Sequence, residues 1–232
     1  MQQPDRSSSA NPGGRKKLEP DPQVRGAILS AASEIVREYG VGALSIAQVL
    51  NLAQLSTRAF YRHFGSKNQL VAALFLEMAN VETLRLRQTM AAAADPVRAV
   101  AAWIDGRLDL VFNVQVRSDL RKMSLEAQSQ MLVAPELVKP AYDEILRPLV
   151  EQLERGGDLG LFADIDPANG ALSIQGVVWS NVEQQWTDFG CTMSELRQRV
   201  QRFCLRGLGV ASDTIADVLA EGPRAELLTR KS

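Results

Sequence analysis

The sequence predicts an all-α fold in which three short helices near the N-terminus precede a larger helical body. Three observations support this prediction. Apolar residues recur at helical spacing, no segment alternates apolar and polar residues long enough for a strand, and an Asp-Pro pair stands at three expected helix starts. The composition, 46% hydrophobic and 23% charged, is typical of a globular protein with a sizeable core.

The chain is expected to begin with a flexible arm over residues 1–20. This segment is rich in Ser, Pro, Gly and charge, and its few apolar residues cannot offset the entropy of ordering. Folding should therefore start at Asp21-Pro22, where an aspartate caps a helix that has proline in its first turn. The same pair at Asp95-Pro96 and at Asp166-Pro167 predicts two later helix starts.

The next residues predict three helices within about 40 residues. From Val24 the apolar residues follow an i, i+3, i+4, i+7 stripe, and Gly40 ends this first helix. Ser56 is expected to cap a short helix from Thr57 to about His63, which follows a turn.

Two serine-glutamine pairs predict further helix starts. Ser45 with Gln48 and Ser66 with Gln69 fit the capping box, in which each side chain satisfies a free backbone amide of the other residue. Helices are therefore expected to begin at residues 46 and 67.

The rest of the chain predicts a helical body. Further helices are expected at about 96–114, 118–130, 135–155, 167–188 and 194–210. The predicted divisions are the arm at 1–20, a three-helix unit at 21–66, a helical body at 67–212, and a tail at 213–232.

Charge and cysteine content narrow the function classes. Net charge is −1 overall, but residues 1–70 hold nine Lys/Arg against five Asp/Glu. The N-terminal region is therefore basic and the rest of the chain acidic, which favours contact of the N-terminal region with a polyanion. No secretory signal or membrane-spanning stretch is apparent, which predicts a cytoplasmic protein. Cys191 and Cys204 lack metal-ligand spacing, so they are expected to be buried or incidental thiols, with a thiol sensor as the alternative. No cofactor and no metal are expected.

The stretch "LSTRAFYRHFGSKNQL" is the strongest functional signal. On a helical wheel Phe60 and Phe64 share one flank and can dock on the first helix, while the opposite arc is polar. That arc carries Thr57, Arg58, Tyr61 and Arg62. A short anchored helix with such a face can enter a major groove, as the second helix of a helix-turn-helix does. An ordinary solvated face is the alternative.

Over about 50 residues from Val24, the chain resembles the DNA-binding region of the tetracycline-repressor (TetR) family of bacterial regulators. The resemblance lies in the "ILSAA" helix, Gly40, Ser45, the "LS" at the turn, and above all "FYRHFGSK" followed by Leu70. The family's usual Ala-Gly pair in the turn reads Ala53-Gln54 here, and its usual alanine in the second helix is Leu50. Gln54 would cost about 1 kcal/mol if its φ is positive.

The resemblance implies roles for individual residues in binding double-stranded DNA. The residues implied to contact bases or phosphates are Ser45, Thr57, Arg58, Tyr61, Arg62, His63 and Lys67. The arm residues Arg15, Lys16 and Lys17 could reach a minor groove or simply solubilise the chain.

One short recognition helix reads few base pairs, so such modules normally act as two-fold dimers on palindromic sites. In the resembled family the last two long helices pair with their symmetry mates. This implies a homodimer interface through Leu172, Gly176, Trp179, Leu196, Val200 and Phe203. A single-chain core could show the same pattern.

The helices from about residue 96 to 155 predict either a packed core or a ligand pocket, and the resemblance favours a pocket for a small, largely apolar effector. The candidate lining residues are Trp103, Arg107, Phe112, Met123, Met131, Tyr142 and Trp179.

The resulting hypothesis is a homodimeric repressor that a small molecule releases from a palindromic operator. An all-α protein-interaction module and an enzyme are the alternatives. The enzyme is disfavoured because the one histidine has no nucleophile or carboxylate partner nearby in sequence.

Overall fold

The computed structural model describes residues 21–112, 119–187 and 190–222, and within these ranges the chain is helical with no strand. The all-α prediction is therefore confirmed. The predicted arm at 1–20, including Arg15, Lys16 and Lys17, lies outside the described residues. We number the helices α1 (Pro22–Tyr39), α2 (Ile46–Ala53), α3 (Thr57–His63), α4 (Lys67–Met90), α5 (Pro96–Phe112), α6 (Asp119–Val133), α7 (Pro135–Asp158), α8 (Pro167–Thr187), α9 (Met193–Gly207) and α10 (Ser212–Ala220), with a 3₁₀ turn at Val41–Ala43.

All three Asp-Pro pairs start helices as predicted. α1, α5 and α8 each begin at the proline. Each aspartate accepts a hydrogen bond from a backbone N–H in the first turn: Asp21 from Gln23, Asp95 from Arg98, and Asp166 from Asn169. The Asp-Pro pair alone predicts these helix starts correctly, because the capping aspartate and the proline both act within the first turn of the helix.

The two predicted capping boxes form only in part. The Ser45 and Ser66 hydroxyls accept from the N–H groups of Gln48 and Gln69 at 3.2 Å, as expected. The glutamines bond elsewhere: Gln48 accepts from the Ser45 hydroxyl, and Gln69 accepts from the N–H of Gly65. A complete capping box occurs instead at Thr192 and Glu195, at the start of α9.

The turn between α2 and α3 places Gln54 in the left-handed region, with φ 55° and ψ 42°. Among the described residues it is the one non-glycine residue with positive φ. The condition under which Gln54 was expected to be costly, a positive φ, is therefore met. The turn is held by hydrogen bonds from Gln54 N to Asn51 O and from Leu55 N to Leu50 O.

An N-terminal core anchors α3. Phe60 is fully buried and Phe64 nearly so, their ring centroids lie 5.8 Å apart, and the Arg25 guanidinium lies 5.5 Å from the centre of the Phe64 ring. The same core contains residues of α1, α2, the first half of α4, α6 and the start of α7. A helix of seven residues is not stable alone, so this packing holds α3 in place.

A second core fills the body. It joins the end of α4 to α5, α7, α8, α9 and α10. α4 thus contributes to both cores, from Leu70 to Ala79 in the first and from Leu86 to Met90 in the second. The boundary predicted between residues 66 and 67 is not a break in packing.

The predicted tail at 213–232 is corrected by α10. Ser212–Ala220 is helical, and its Ile215 and Val218 are buried in the second core. The Arg197 guanidinium fastens this helix, since it donates to the carbonyls of Val218 and Leu219. Residues 223–232 lie outside the described part.

Arg197 also ties α9 to α5. Its Nε lies 3.0 and 3.1 Å from the two carboxylate oxygens of Asp105, and Gln201 donates to the same carboxylate at 2.6 Å. Burial raises the pKa of Asp105 to about 6, although Arg197 acts in the opposite direction. The hydrophobic periodicity of α5 and α9 in the sequence does not predict this ion pair.

Within residues 21–112, 119–187 and 190–222, every helix is too short or too polar to span a bilayer.

The strained turn generates a stability prediction. Gln54→Gly should raise the free energy of unfolding by about 1 kcal/mol, because glycine adopts positive φ without a Cβ penalty. Chemical denaturation should detect the change. Gln54→Ala is the matched control, since alanine retains the Cβ; an equal gain in that variant would contradict this explanation.

A close approach near the end of α7 generates a second prediction. A Cβ on Gly156 would lie 2.0 Å from Cε2 of Phe162, whereas a Cβ on Gly157 would meet nothing within 4 Å. Gly156→Ala should therefore destabilise the fold by about 1–3 kcal/mol, while Gly157→Ala should stabilise it by up to about 1 kcal/mol. Thermal unfolding of both variants makes the comparison, and similar melting temperatures would refute it.

Candidate nucleic-acid interface and cavity

The face of α3 opposite the aromatic anchor is exposed. Thr57, Arg58, Tyr61 and Arg62 all project to solvent, as the helical wheel predicted. Within the described part of the chain, neither Arg58 nor Arg62 has an ion-pair partner. Two guanidiniums, a phenol and a hydroxyl therefore remain free to meet an anionic ligand.

His63 does not fit the role that the resemblance implied. Both of its ring nitrogens are buried and have no hydrogen-bond partner. The side chain must rotate before either nitrogen can reach a phosphate, so we correct its assignment as a contact residue.

Ser45 and Lys67 stand at helix starts on either side of α3. Ser45 is the N-cap of α2, and its hydroxyl is engaged with Gln48. Lys67 is the first residue of α4 and is partly exposed. Both positions lie beside free backbone N–H groups, which favour an anion.

A cavity of about 50 Å³ lies between the two cores. It is formed where α4, α5, α6, α7 and α8 meet. Its lining residues are Phe75, Met78, Ala79, Glu82, Arg107, Met123, Ser124, Ala127, Ala141, Tyr142, Ile145 and Trp179.

One wall of the cavity is a buried charge network. The Glu82 carboxylate pairs with Arg107 Nη1 at 2.9 Å and with Arg85 Nε and Nη2, both at 2.8 Å. Arg85 also reaches Asp109 at 3.5 Å. Burial alone would raise the pKa of Glu82, but the two arginines outweigh it and lower this pKa below its usual value.

Two hydrogen-bond donors in the cavity wall are unpartnered. Arg107 Nε and Trp179 Nε1 are buried, and neither has an acceptor. Tyr142 adds a hydroxyl, whose pKa is raised by burial. The polar groups of this cavity thus include more donors than free acceptors.

The structure brings four of the seven predicted pocket residues together and separates three. Arg107, Met123, Tyr142 and Trp179 line the cavity. Trp103 belongs to the second core, where its Nε1 donates to the Ile145 carbonyl at 3.3 Å, and Phe112 packs on that core. Met131 packs on the N-terminal core. These three assignments are corrected.

Sequence reasoning missed Glu82. A single glutamate in a long helix resembles any solvated charge, and the neighbouring Arg85 is a common i, i+3 partner. The signal that could have predicted the burial of Glu82 is the apolar stripe of Phe75, Ala79 and Leu86, because Glu82 lies on the same face of α4.

The predicted dimer residues divide into two groups. Trp179, Leu196 and Val200 are buried in the second core of one chain, so we correct their assignment to an interface. Leu172, Gly176 and Phe203 are exposed, with 56% of Leu172 and 64% of Phe203 accessible. A groove of about 390 Å³ lies beside Phe203 between α8 and α9, and Gly170, Ser173 and Gly207 help to line it.

The two cysteines are unpaired. Cys204 is buried, which raises the pKa of its thiol to about 12, and Cys191 is partly buried with its thiol donating to Gln185 Oε1 at 3.0 Å. A thiol with so high a pKa reacts slowly.

Helix α6 connects the cavity to the helix-turn-helix unit. Met123, Ser124 and Ala127 line the cavity. On the same helix, the carboxylate of Glu126 accepts from the N–H of Val41 at 3.0 Å, in the turn that follows α1. α6 therefore contacts both the cavity and the turn that follows α1.

One segment of the sequence matches a family model, and the fold matches solved structures. Residues 28–74 match the family model described as bacterial regulatory proteins, tetR family. No curated protein matches the sequence.

Several solved structures share the fold. FadR from Bacillus subtilis, in complex with stearoyl-CoA, has 19% identity and a TM-score of 0.62, with 78% of this chain and 98% of that chain covered. A protein from Saccharomonospora viridis, in complex with choline, has 19% identity and a TM-score of 0.59, with 79% and 96% covered. RolR in complex with resorcinol has 17% identity and a TM-score of 0.57, with 86% and 94% covered.

The matched segment contains α2, α3, most of α1 and the first part of α4, which together form the helix-turn-helix unit and its support. The likeness to the solved structures extends the shared fold through the body. Residues 28–74 are therefore similar to the helix-turn-helix segment of bacterial regulatory proteins of the tetR family, and the chain shares its fold with these solved structures.

Proposed function

We propose that the protein is a homodimeric repressor that binds a palindromic operator and leaves it when a small molecule occupies the cavity. The observation that carries this proposal is the exposed, unpaired cationic face of α3 on a helix anchored by a fully buried Phe60. DNA-binding regulation itself is the function of the family.

Direct contacts with DNA come from the exposed face of α3. Thr57 and Arg58, at the start of the helix, are assigned to base edges, because the N-terminal residues of a recognition helix enter the major groove. Tyr61 and Arg62 are assigned to the phosphate backbone at the groove wall. Ser45 and Lys67 hold phosphates at the starts of α2 and α4, where backbone N–H groups add to the attraction.

Dimerisation is assigned to the outer face of α8 and α9. This face exposes Leu172 and Phe203, and Phe203 lines a groove. It therefore offers both protruding apolar side chains and a recess. A two-fold interface requires a self-complementary surface of this kind. Gly176 and the small residues of the groove allow the partner helices to approach closely. The dimer would hold two α3 helices about one helical turn of DNA apart.

Release is assigned to α6. A molecule that enlarges the cavity pushes on Met123, Ser124 and Ala127, and the same helix carries Glu126, which holds the Val41 N–H. The two α3 helices then lose the spacing that the operator requires. The effect on operator affinity is limited to the difference in ligand affinity between the two states, about tenfold for each 1.4 kcal/mol.

The effector is proposed to be small and largely apolar, since most residues around the cavity are apolar. The structural neighbours bind a fatty acyl-CoA, choline and resorcinol. These ligands have little chemistry in common, so the identity of the effector must come from this chain's own cavity.

Substitutions in the proposed interface should separate base reading from phosphate binding. With DNA flanking the protein's own gene, Arg58→Ala should reduce the preference for operator over random duplex by about 1–3 kcal/mol. Lys67→Ala should weaken binding to both duplexes and lower the salt-dependence slope by about one per protomer. Fluorescence anisotropy over a salt series measures both quantities.

Arg155→Ala is the matched control for this experiment, because Arg155 is an exposed arginine near the end of α7. Its affinity and salt slope should equal those of the wild type. If Arg58→Ala and Lys67→Ala also behaved like the wild type, α3 would not be the DNA-contacting helix.

A charge on the outer face of α8 and α9 should dissociate the dimer. Phe203→Glu places a carboxylate in the middle of the proposed interface, where burial without a partner is costly. Sedimentation equilibrium should show a dimer for the wild type and a monomer for this variant, with an unchanged helical circular dichroism spectrum. Leu132→Glu is the control, since Leu132 is equally apolar, exposed and located on α6. A dimeric Phe203→Glu variant would exclude this interface.

A further inference from the structure

We propose that the effector is a neutral molecule with an apolar body and one carbonyl-type oxygen, which accepts hydrogen bonds from Arg107 Nε and Trp179 Nε1 in the cavity. This inference rests on the proposed function, because it names the ligand class of the same cavity. Three features of the cavity wall carry it: unpartnered donors, balanced charge and deformable lining.

The unpartnered donors are the first feature. Only 4% of Arg107 and 8% of Trp179 is accessible, both side chains line the cavity, and one N–H of each has no acceptor. A buried donor without an acceptor is costly, and most buried polar groups in folded proteins are paired. A ligand oxygen in the cavity would give both N–H groups a partner.

The charge balance is the second feature. Arg107 and Arg85 face Glu82 and Asp109, so two guanidiniums meet two carboxylates in one network. A carboxylate ligand would add an uncompensated negative charge to a buried site, and an ammonium ligand would add a positive one while offering no acceptor. A neutral oxygen acceptor satisfies the free N–H groups at no such cost.

The lining is the third feature. The apolar wall includes Met78 and Met123, whose flexible side chains adapt to a guest. The cavity of about 50 Å³ is smaller than the roughly 150 Å³ cavity that holds benzene. A ring-sized ligand must therefore displace lining side chains such as Met123, which lies on α6. Because Glu126 of the same helix accepts from the Val41 N–H, ligand entry would be coupled to the helix-turn-helix unit through α6.

Four probes that share a five-membered ring test the ligand class. They are cyclopentanone, cyclopentane, cyclopentanecarboxylate and cyclopentylammonium. Each is titrated into the full-length protein labelled with ¹⁵N at its three tryptophan indoles. Cyclopentanone should bind most tightly and shift the Trp179 indole resonance downfield, as a new hydrogen bond does. The Trp103 indole already donates to Ile145 and should not move.

Two tryptophan variants provide the matched comparison. Trp179→Phe keeps an aromatic ring but removes the donor, and it should weaken cyclopentanone about fivefold while leaving cyclopentane unchanged. Trp186→Phe removes an indole that packs edge-to-face on Trp179, with ring centroids 5.6 Å apart, but does not line the cavity. This second variant should bind all four probes as the wild type does.

Three outcomes would overturn the inference. They are tighter binding of the carboxylate or the ammonium than of the ketone, equal affinity for cyclopentane and cyclopentanone, and no binding of any probe. Operator binding is measured on the same preparations without a probe. If the protein binds its operator but gives one of these outcomes, the proposed ligand class is refuted and the proposed repressor function stands. If the protein binds the ketone but does not bind DNA, the repressor function is refuted and the proposed ligand site stands.

Discussion

The burial of Phe60 is the interaction on which the rest of the molecule depends. Its helix has seven residues, too few to persist alone in water, so the position of every exposed side chain on that helix follows from the packing beneath it. Phe60 is completely enclosed and lies against Phe64, which in turn lies under the Arg25 guanidinium. This apolar packing therefore fixes the orientation of the exposed polar face of α3.

The same core extends into the body instead of ending at the helix-turn-helix unit. α4 contributes to both cores, and α6 contributes Met123 to the N-terminal core and to the cavity wall. The proposed DNA-binding unit and the proposed effector cavity therefore share side chains. Since packed interiors change between discrete arrangements more readily than they deform, this shared packing suits a two-state regulator. The hydrogen bond from the Val41 N–H to the Glu126 carboxylate also joins α6 to the turn that follows α1.

Buried charge distinguishes the body from a simple helical bundle. Glu82 with Arg107, and Asp105 with Arg197, are carried between helices that are distant in sequence. Such pairs add little net stability, because desolvation offsets most of their attraction, but removing one partner is costly. They therefore serve to select one arrangement of helices. At the cavity this selection leaves Arg107 with one N–H free, and the same residue that orders the body is available to a guest.

The sequence alone determined the helix starts, the all-α class and the exposed face of α3, because each of these depends on residues within one or two turns of the chain. The partners of Glu82, Asp105 and Glu126, the burial of the His63 ring nitrogens and the helical state of residues 212–220 were decided only by the tertiary structure. So was the division of Leu196 and Phe203, which share one amphipathic helix, between the interior and the surface. Periodicity shows that a helix has an apolar side, but which of its residues are covered depends on the neighbours that pack against it.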